Sequence, residues 1–555
     1  MKDLFSIRLH KNWLLAMTCC AVLSPAAFAQ KQSNDPTLQA MQTELNREKA
    51  QLVLPGMQRP YFIEYRLDDL DTYEAVANYG ALTQESANHQ RIVRVTVRVG
   101  DYAMDSSTSR GEGAIALAPR DNDPIALRYA LWLATDTAYK NALRIYAAKQ
   151  AALKQFQTPQ EEHDFAQEKP VTHIAPLAVM DLDRAEWKRR IVEASGLFAT
   201  APEVRADAAN VQYSTANVRG VAVNRYLVNT EGTVVRQGYT GYAAGVSVGG
   251  QAPDGMQLSR DNGPVTADAK ELEAWPVFRK RVIDDLKSFE ALRAAPVVSA
   301  EDYHGPVLFS GDAAADVMGR LLVANAEAHR PAMGTTARTT GAFASSYKSR
   351  VLPQILSVTD DPLTTKFDGR TLLGAYAVDD EGVPAQKVDI VVNGILENYL
   401  IGREPIRDFP ASNGHGRAAP GQPARSNAGV VLVKSSQAVP VRELNAKLQA
   451  MAKDQGRDVY FVETLSDGLT PRVLYRIHPD GSRQLVRGAV FDELDTRSLR
   501  SDIVAVGNDA YISNTLGPVQ RTIIAPSLLF DEIGVKRAVE EQQKLPYYPP
   551  PAMSK

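Results

Sequence analysis

Apolar and polar residues alternate from Arg91 to Val99, and again from Tyr61 to Tyr65. A period of two is the spacing of a half-buried strand, and Gly100-Asp101 supplies the turn that follows. The spacing changes to that of a helix over residues 41–52, which Pro55-Gly56 closes, and over a long stretch at 124–153. There Leu131, Ala134, Ala138, Ala142 and Ile145 fall along one side, the stripe a packed helix presents. A further helix is predicted at 183–193 with Trp187 on its buried side. Strands return over 211–258, broken by turns at Thr230-Glu231-Gly232 and Pro253-Asp254-Gly255. A helix over 270–292 runs into Ala294-Ala295-Pro296, the predicted domain junction. The second half opens with a strand at 306–310 and a helix at 312–329, then turns to short strands rich in glycine and proline. The pattern predicts an α+β protein of two domains, with antiparallel or mixed sheets packed on helices. These domains span 30–296 and 297–545, and a proline-rich tail occupies 546–555.

The first residues belong to a different pattern. Lys2, Arg8 and Lys11 precede an apolar run from Trp13 to Leu23, and Ala27-Phe28-Ala29 leads into Gln30. A basic start, a short apolar core and an A-x-A exit make a secretory signal peptide over 1–29. The run is about half the roughly 20 residues a membrane span needs, and Met17-Thr18 before Cys19 is a poor lipoprotein signal. Cleavage after Ala29 therefore predicts an exported protein, periplasmic and without a membrane span. Cys19 and Cys20 are the only cysteines of the 555 residues. Their loss with the leader leaves no thiol for a disulfide, a thiolate metal site or a nucleophile. Losing three cations and one anion takes the net charge from -3 to -5, which lacks the basic footprint of a nucleic-acid binder.

The residues that carry chemistry are sparse. No two of His89, His163, His173, His304, His329, His415 and His478 stand three to five apart, so no local zinc motif is present. His163 and His173 are placed in a polar linker. Gly245-Val246-Ser247-Val248-Gly249 has the form of a nucleophile elbow, but the loop residues after it cannot start the helix that turn requires. Ser247 is therefore placed in a strand. Asp379-Asp380-Glu381 could hold a cation, although Gly382 and Pro384 favour a tight turn.

Several motifs together resemble a known family. Ala377-Val378-Asp379-Asp380-Glu381-Gly382-Val383-Pro384, Val391-Val392-Asn393-Gly394-Ile395-Leu396, Ser412-Asn413-Gly414-His415-Gly416-Arg417 and Val506-Gly507-Asn508-Asp509 are similar to the C-terminal domain of the TldD/PmbA peptidases. Gly80-Ala81-Leu82, Val99-Gly100-Asp101-Tyr102 and Leu131-Trp132-Leu133-Ala134-Thr135-Asp136 resemble the exported branch of that family. The resemblance implies the family's two-domain fold across nearly the whole chain after the leader.

It also implies what the site should contain. Active members hold zinc through two histidines of an H-E-x-x-x-H helix and a cysteine near the C-terminus, with the glutamate as general base. Here Ala324 stands at the first histidine, Asn325 at the glutamate, and His329 alone matches. Glu327, two residues from His329, would lie on another helix face. No cofactor is expected, and zinc only in a catalytic partner. The family pairs an active subunit with one lacking the motif, so the resemblance implies a non-catalytic subunit of a dimer that helps enclose unfolded peptide. Asn413, Gly414, His415, Gly416 and Arg417 are candidates for lining that chamber. A stand-alone peptide-binding protein and a peptidase with a non-standard site are the alternatives. The family's association with DNA gyrase does not suit an exported chain.

Overall fold

The computed structural model describes residues 35–107, 113–154, 162–299, 301–331, 335, 337–466 and 468–539. The expected leader and the proline-rich tail lie outside them. The first half is built on one sheet of long strands in the order β3-β2-β1-β5-β6-β4. These are β1 (Pro60–Asn78), β2 (Ala81–Val99), β3 (Ala114–Ala118), β4 (Thr172–Ile174), β5 (Tyr213–Asn229) and β6 (Val234–Gln251), with β7 (Gln257–Asn262) and β8 (Val265–Thr266) also paired to β6. Neighbours are antiparallel except β4 and β6.

Side chains alternate across a strand, so this sheet has two distinct faces. One face carries Ile63, Tyr65 and Leu67 of β1 with Val93, Val95, Val97 and Val99 of β2. It packs under α1 (Pro36–Gln51) and α2 (Pro124–Leu153), where Met41, Leu131 and Ala138 are fully buried. Farther along, Tyr73, Ala75 and Ala77 pack under α3 (Arg184–Thr200) and α4 (Trp275–Ala294) through Trp187, Ile191, Phe278 and Phe289. Asp123 caps α2, accepting from the amides of Ile125 and Ala126, each at 2.8 Å, and Pro124 occupies the first turn.

Besides two two-stranded pairs, the second half holds two larger sheets among the described residues. One runs in the order Ile395–Leu396, Val388–Val392, Leu356–Asp360, Val430–Ser435, Gln520–Ala525, Tyr511–Leu516. The other is centred on β9 (Tyr303–Phe309), between Val459–Ser466 and Leu528–Arg537. The largest apolar core joins both sheets to the short helix α5 (Gly311–Val317), which continues as a π turn over Met318–Val323 and a last turn at Ala324–Ala326.

That helix is shorter than its sequence suggests. Beyond Ala326 the backbone turns extended. Leu400 donates to the Ala326 carbonyl at 2.9 Å and accepts from Ala328 at 3.0 Å, and Glu327 forms a parallel bridge to Leu400. Pairing with a neighbouring segment replaces the next helical bonds, so Glu327 and His329 are not helical. His173 likewise lies in β4 rather than in a linker. Ser247 is inside β6, and its Oγ donates to Asp261 Oδ1. No helix among the described residues is long and apolar enough to cross a membrane.

Candidate functional site

The other face of the first sheet meets the second half of the chain, and it is charged. Phe62, Glu64, Arg66 and Asp68 of β1 stand opposite Arg98, Thr96, Arg94 and Ile92 of β2. Arg66, Asp68, Arg94 and Arg98 are all at least nine-tenths buried, so the polar face of β2 is covered rather than solvated as its alternation suggested. What covers it is the segment from Tyr376 to Ser426. Asp380 is the centre of the contact. Its carboxylate meets Arg225 Nη1 at 2.5 Å, accepts from the Ala418 amide at 2.7 Å and lies 3.4 Å from Arg417 Nε. Arg225 also donates to Asp68 at 2.5 Å, and Arg66 donates to the carbonyls of Asp380 and Gln422. Burial pushes Asp380 up, but Arg225, Arg417 and Arg66 outweigh it and hold the carboxyl below its usual range.

Residues 379–383 form a turn. Asp379 accepts from the amides of Glu381 and Val383 at 3.0 and 2.8 Å and from Gly416 at 2.9 Å, and Gly382 has φ +81°. Glu381 is drawn inward, its Oε2 accepting from the Arg403 amide at 2.6 Å. A Cβ on Gly416 would lie 2.1 Å from that oxygen, which accounts for the glycine there. Gly414, His415, Gly416 and Arg417 are buried and Asn413 half-buried, and none of the five lines either cavity described below. His415 is wholly buried, with Nδ1 3.0 Å from both the Asn413 carbonyl and Oδ1, and Nε2 3.6 Å from Asp360. Arg417 stacks 4.0 Å over the ring of Tyr376.

Two cavities open beside this region. An open cleft of about 470 Å³ is lined by Glu327, His329, Arg330, Arg425, Ser426 and Asn427. An inner crevice of about 60 Å³ has the charged face of β1 and β2 as its floor, with Phe165, Glu381 and Arg425 in its walls. Arg425 lines both, and the Arg330–Asp164 ion pair, 2.7 Å, spans from one to the other. In the cleft, Glu327 Oε1 accepts from the Ala428 amide at 3.0 Å, and burial raises its carboxyl pKa. Burial first, and then Arg425, lowers the His329 imidazole below its usual 6.5. The sequence brought His329 and Glu327 to notice. It missed Glu64, Arg66, Arg94, Arg98 and Arg425; only Arg94 and Arg98 left a signal, as arginine recurring on the polar side of β2.

Residues 302–537 match the PmbA/TldA metallopeptidase C-terminal domain. They belong to the PmbA/TldD family. About nine-tenths of the chain shares its fold with solved proteins. TldE from Thermococcus kodakarensis superposes with a TM-score of 0.59 at 14% identity, over 89% of this chain and 99% of that one. A candidate modulator of a DNA gyrase from Thermotoga maritima superposes with 0.58 at 15% identity, covering 90% and 99%. Another from Bacteroides thetaiotaomicron does so with 0.59 at 11%, covering 91% and 99%. No curated protein matches the chain in sequence.

The zinc that active PmbA/TldD peptidases carry does not fit the residues this chain offers. Ala324 has no ligating atom, and its side chain is exposed. Asn325 is committed on both sides of its amide, donating to the Leu321 carbonyl and accepting from the Ala342 amide, each at 2.8 Å. It ties the end of the helix to the 341–342 loop, a structural task with no proton to move. His329 is one imidazole, and among the described residues no three His, Cys, Asp or Glu side chains converge on a metal position. No cysteine follows Cys20 in the sequence. Among the described residues, Ala324, Asn325 and His329 therefore do not make the site for a metal-bound water and its general base.

Proposed function

We propose that this chain is an exported, non-catalytic member of the PmbA/TldD family, which pairs with a relative carrying an intact zinc helix and helps enclose unfolded peptide. The observation that carries this reading is the pair Ala324 and Asn325 at the ligand and base positions the family resemblance assigns, in a chain that keeps the family's fold. Losing the chemistry while keeping the fold leaves shape and binding as what the chain can contribute. The cleft beside His329 supports the second part. It is open, of a volume suited to several residues of extended peptide, and lined by both charge signs and by amides. Zinc belongs, on this reading, to the partner.

The test is isolation of the chain from its native host under non-denaturing conditions, followed by mass spectrometry, zinc analysis and a peptide-cleavage assay. The expected result is a second family member with intact H-E-x-x-x-H, stoichiometric zinc and cleavage in the complex, and neither zinc nor cleavage in the chain alone. An isolated chain that holds zinc and cuts peptide overturns the reading. N-terminal sequencing of the same material tests export, for which Gln30 is the expected first residue.

A further inference from the structure

Helix α2 is apolar on two sides over its first half. One side, with Leu127, Leu131, Ala134 and Ala138, is buried against the sheet. The other carries Ile125, Tyr129, Trp132 and Leu133, which are between 45% (Trp132) and 66% (Tyr129) exposed. Their spacing of i, i+4, i+7 and i+8 gathers them into one stripe. Tyr129 and Trp132 meet edge to face within it, their ring centroids 6.3 Å apart. A surface helix keeps its outer side polar. The neighbouring α1 does so, with Gln39, Thr43 and Asn46 exposed, and so does the rest of α2, with Lys140, Arg144 and Gln150. The departure is confined to residues 125–133.

Area and charge say what the stripe fits. Its four side chains leave roughly 500 Å² open, near the upper end of the largest patch on a lone soluble chain and more than half of the about 800 Å² that a standard interface buries on each partner. Aromatic rings at the centre with charge at both ends is the make-up of a protein interface. That charge matches itself. Asp121 is exposed just before the helix, and Lys140 lies beyond the stripe, 2.7 Å from Asp136 and with its side chain 56% exposed. Let a second α2 lie antiparallel across the first, about a two-fold axis beside residues 130 and 131. Tyr129 of one copy then comes level with Trp132 of the other, Ile125 lies within a turn of Leu133, and Lys140 comes level with Asp121. A two-fold contact of this kind needs one self-complementary patch, which the stripe is.

We propose that residues 125–133 are a docking surface for a second copy of this chain, the two α2 helices packing antiparallel with Tyr129 and Trp132 at the centre. Helix α2 lies across the sheet from the segment 376–426, so this contact is separate from the pairing with a zinc-bearing relative and goes beyond that reading.

The test is sedimentation velocity of the full chain, purified free of any relative, at concentrations from about 1 to about 100 μM. The expected result is a reversible monomer–dimer equilibrium. Tyr129→Gln and Trp132→Gln should each raise the dissociation constant at least about thirtyfold. Circular dichroism should not change, since both side chains lie outside the core. Lys140→Glu and Asp121→Lys should each weaken the dimer, and the two together should restore it. A chain that stays monomeric throughout overturns the proposal, and so does a dimer that neither aromatic substitution weakens. A charge-reversed pair no tighter than its single variants overturns the antiparallel arrangement. If the chain alone is monomeric and Trp132→Gln instead releases a co-isolated relative, the second copy is overturned as the occupant.

Discussion

Glu64 lies on the crevice floor with its carboxyl covered. Burial pushes its pKa up to about 7, against the opposing pull of Arg66, with Glu381 pushing the same way. In the unfolded chain the same group titrates near its ordinary 4.5. A carboxyl whose folded value is raised contributes stability that is present in full below the unfolded value and is lost as pH rises toward 7. Glu64→Gln fixes the neutral form. The variant should match the parent in urea denaturation at pH 4 and exceed it by about 3 kcal/mol at pH 8. Equal loss at both pH values would mean that the ionised carboxylate is what the arginines hold. This group could not be found from the sequence. Glu64 sits among Tyr61, Phe62, Ile63 and Tyr65, and the alternation there assigns it to solvent. It is buried because the second half of the chain arrives on the polar face, and alternation within one strand does not record what comes from elsewhere.

At the scale of elements, legibility follows how local the cause is. The helix at 124–153 was readable because its start signal, its apolar stripe and its length all lie within it, and α2 occupies that span. Its first turn gives a direct check. Asp123→Ala removes the acceptor for two amides, and should cost about 1 kcal/mol in equilibrium unfolding; a change below a few tenths would show the cap to be idle. β1 and β2 show the opposite case. Each is 19 residues long, yet the sequence marks only 61–65 and 91–99. Residues 81–88 are exposed on both sides, so no alternation appears, and in β1 the alternation runs on through Arg66, Leu67 and Asp68 and breaks at Asp69 and Leu70. The end of the zinc-type helix was misjudged for a similar reason. Its last turn is decided by Leu400, far along the chain, which takes the backbone bonds the helix would have used.

Across the whole molecule, the two halves are held together by buried charge rather than by a continuous apolar core; Asp380 is one anion of that contact, with Asp164, Glu231, Asp254 and Asp261 paired to Arg330, Arg403, Arg487 and Arg472 elsewhere along it. Asp380 faces Arg225, Arg417 and Arg66, all buried. Removing one partner of a buried network leaves the others as uncompensated charges, which is costlier than the net worth of the pair. Asp380→Ala should therefore lower unfolding stability by about 3–5 kcal/mol. Lys280→Ala, breaking the Lys280–Asp284 pair whose side chains are 77% and 54% exposed, is the control and should change it by less than about 0.5 kcal/mol. An Asp380→Ala variant as stable as the parent would mean that the arginines find solvent or one another's acids at no cost, and the interface would then be held by packing around Leu227, Val235 and Val378 instead.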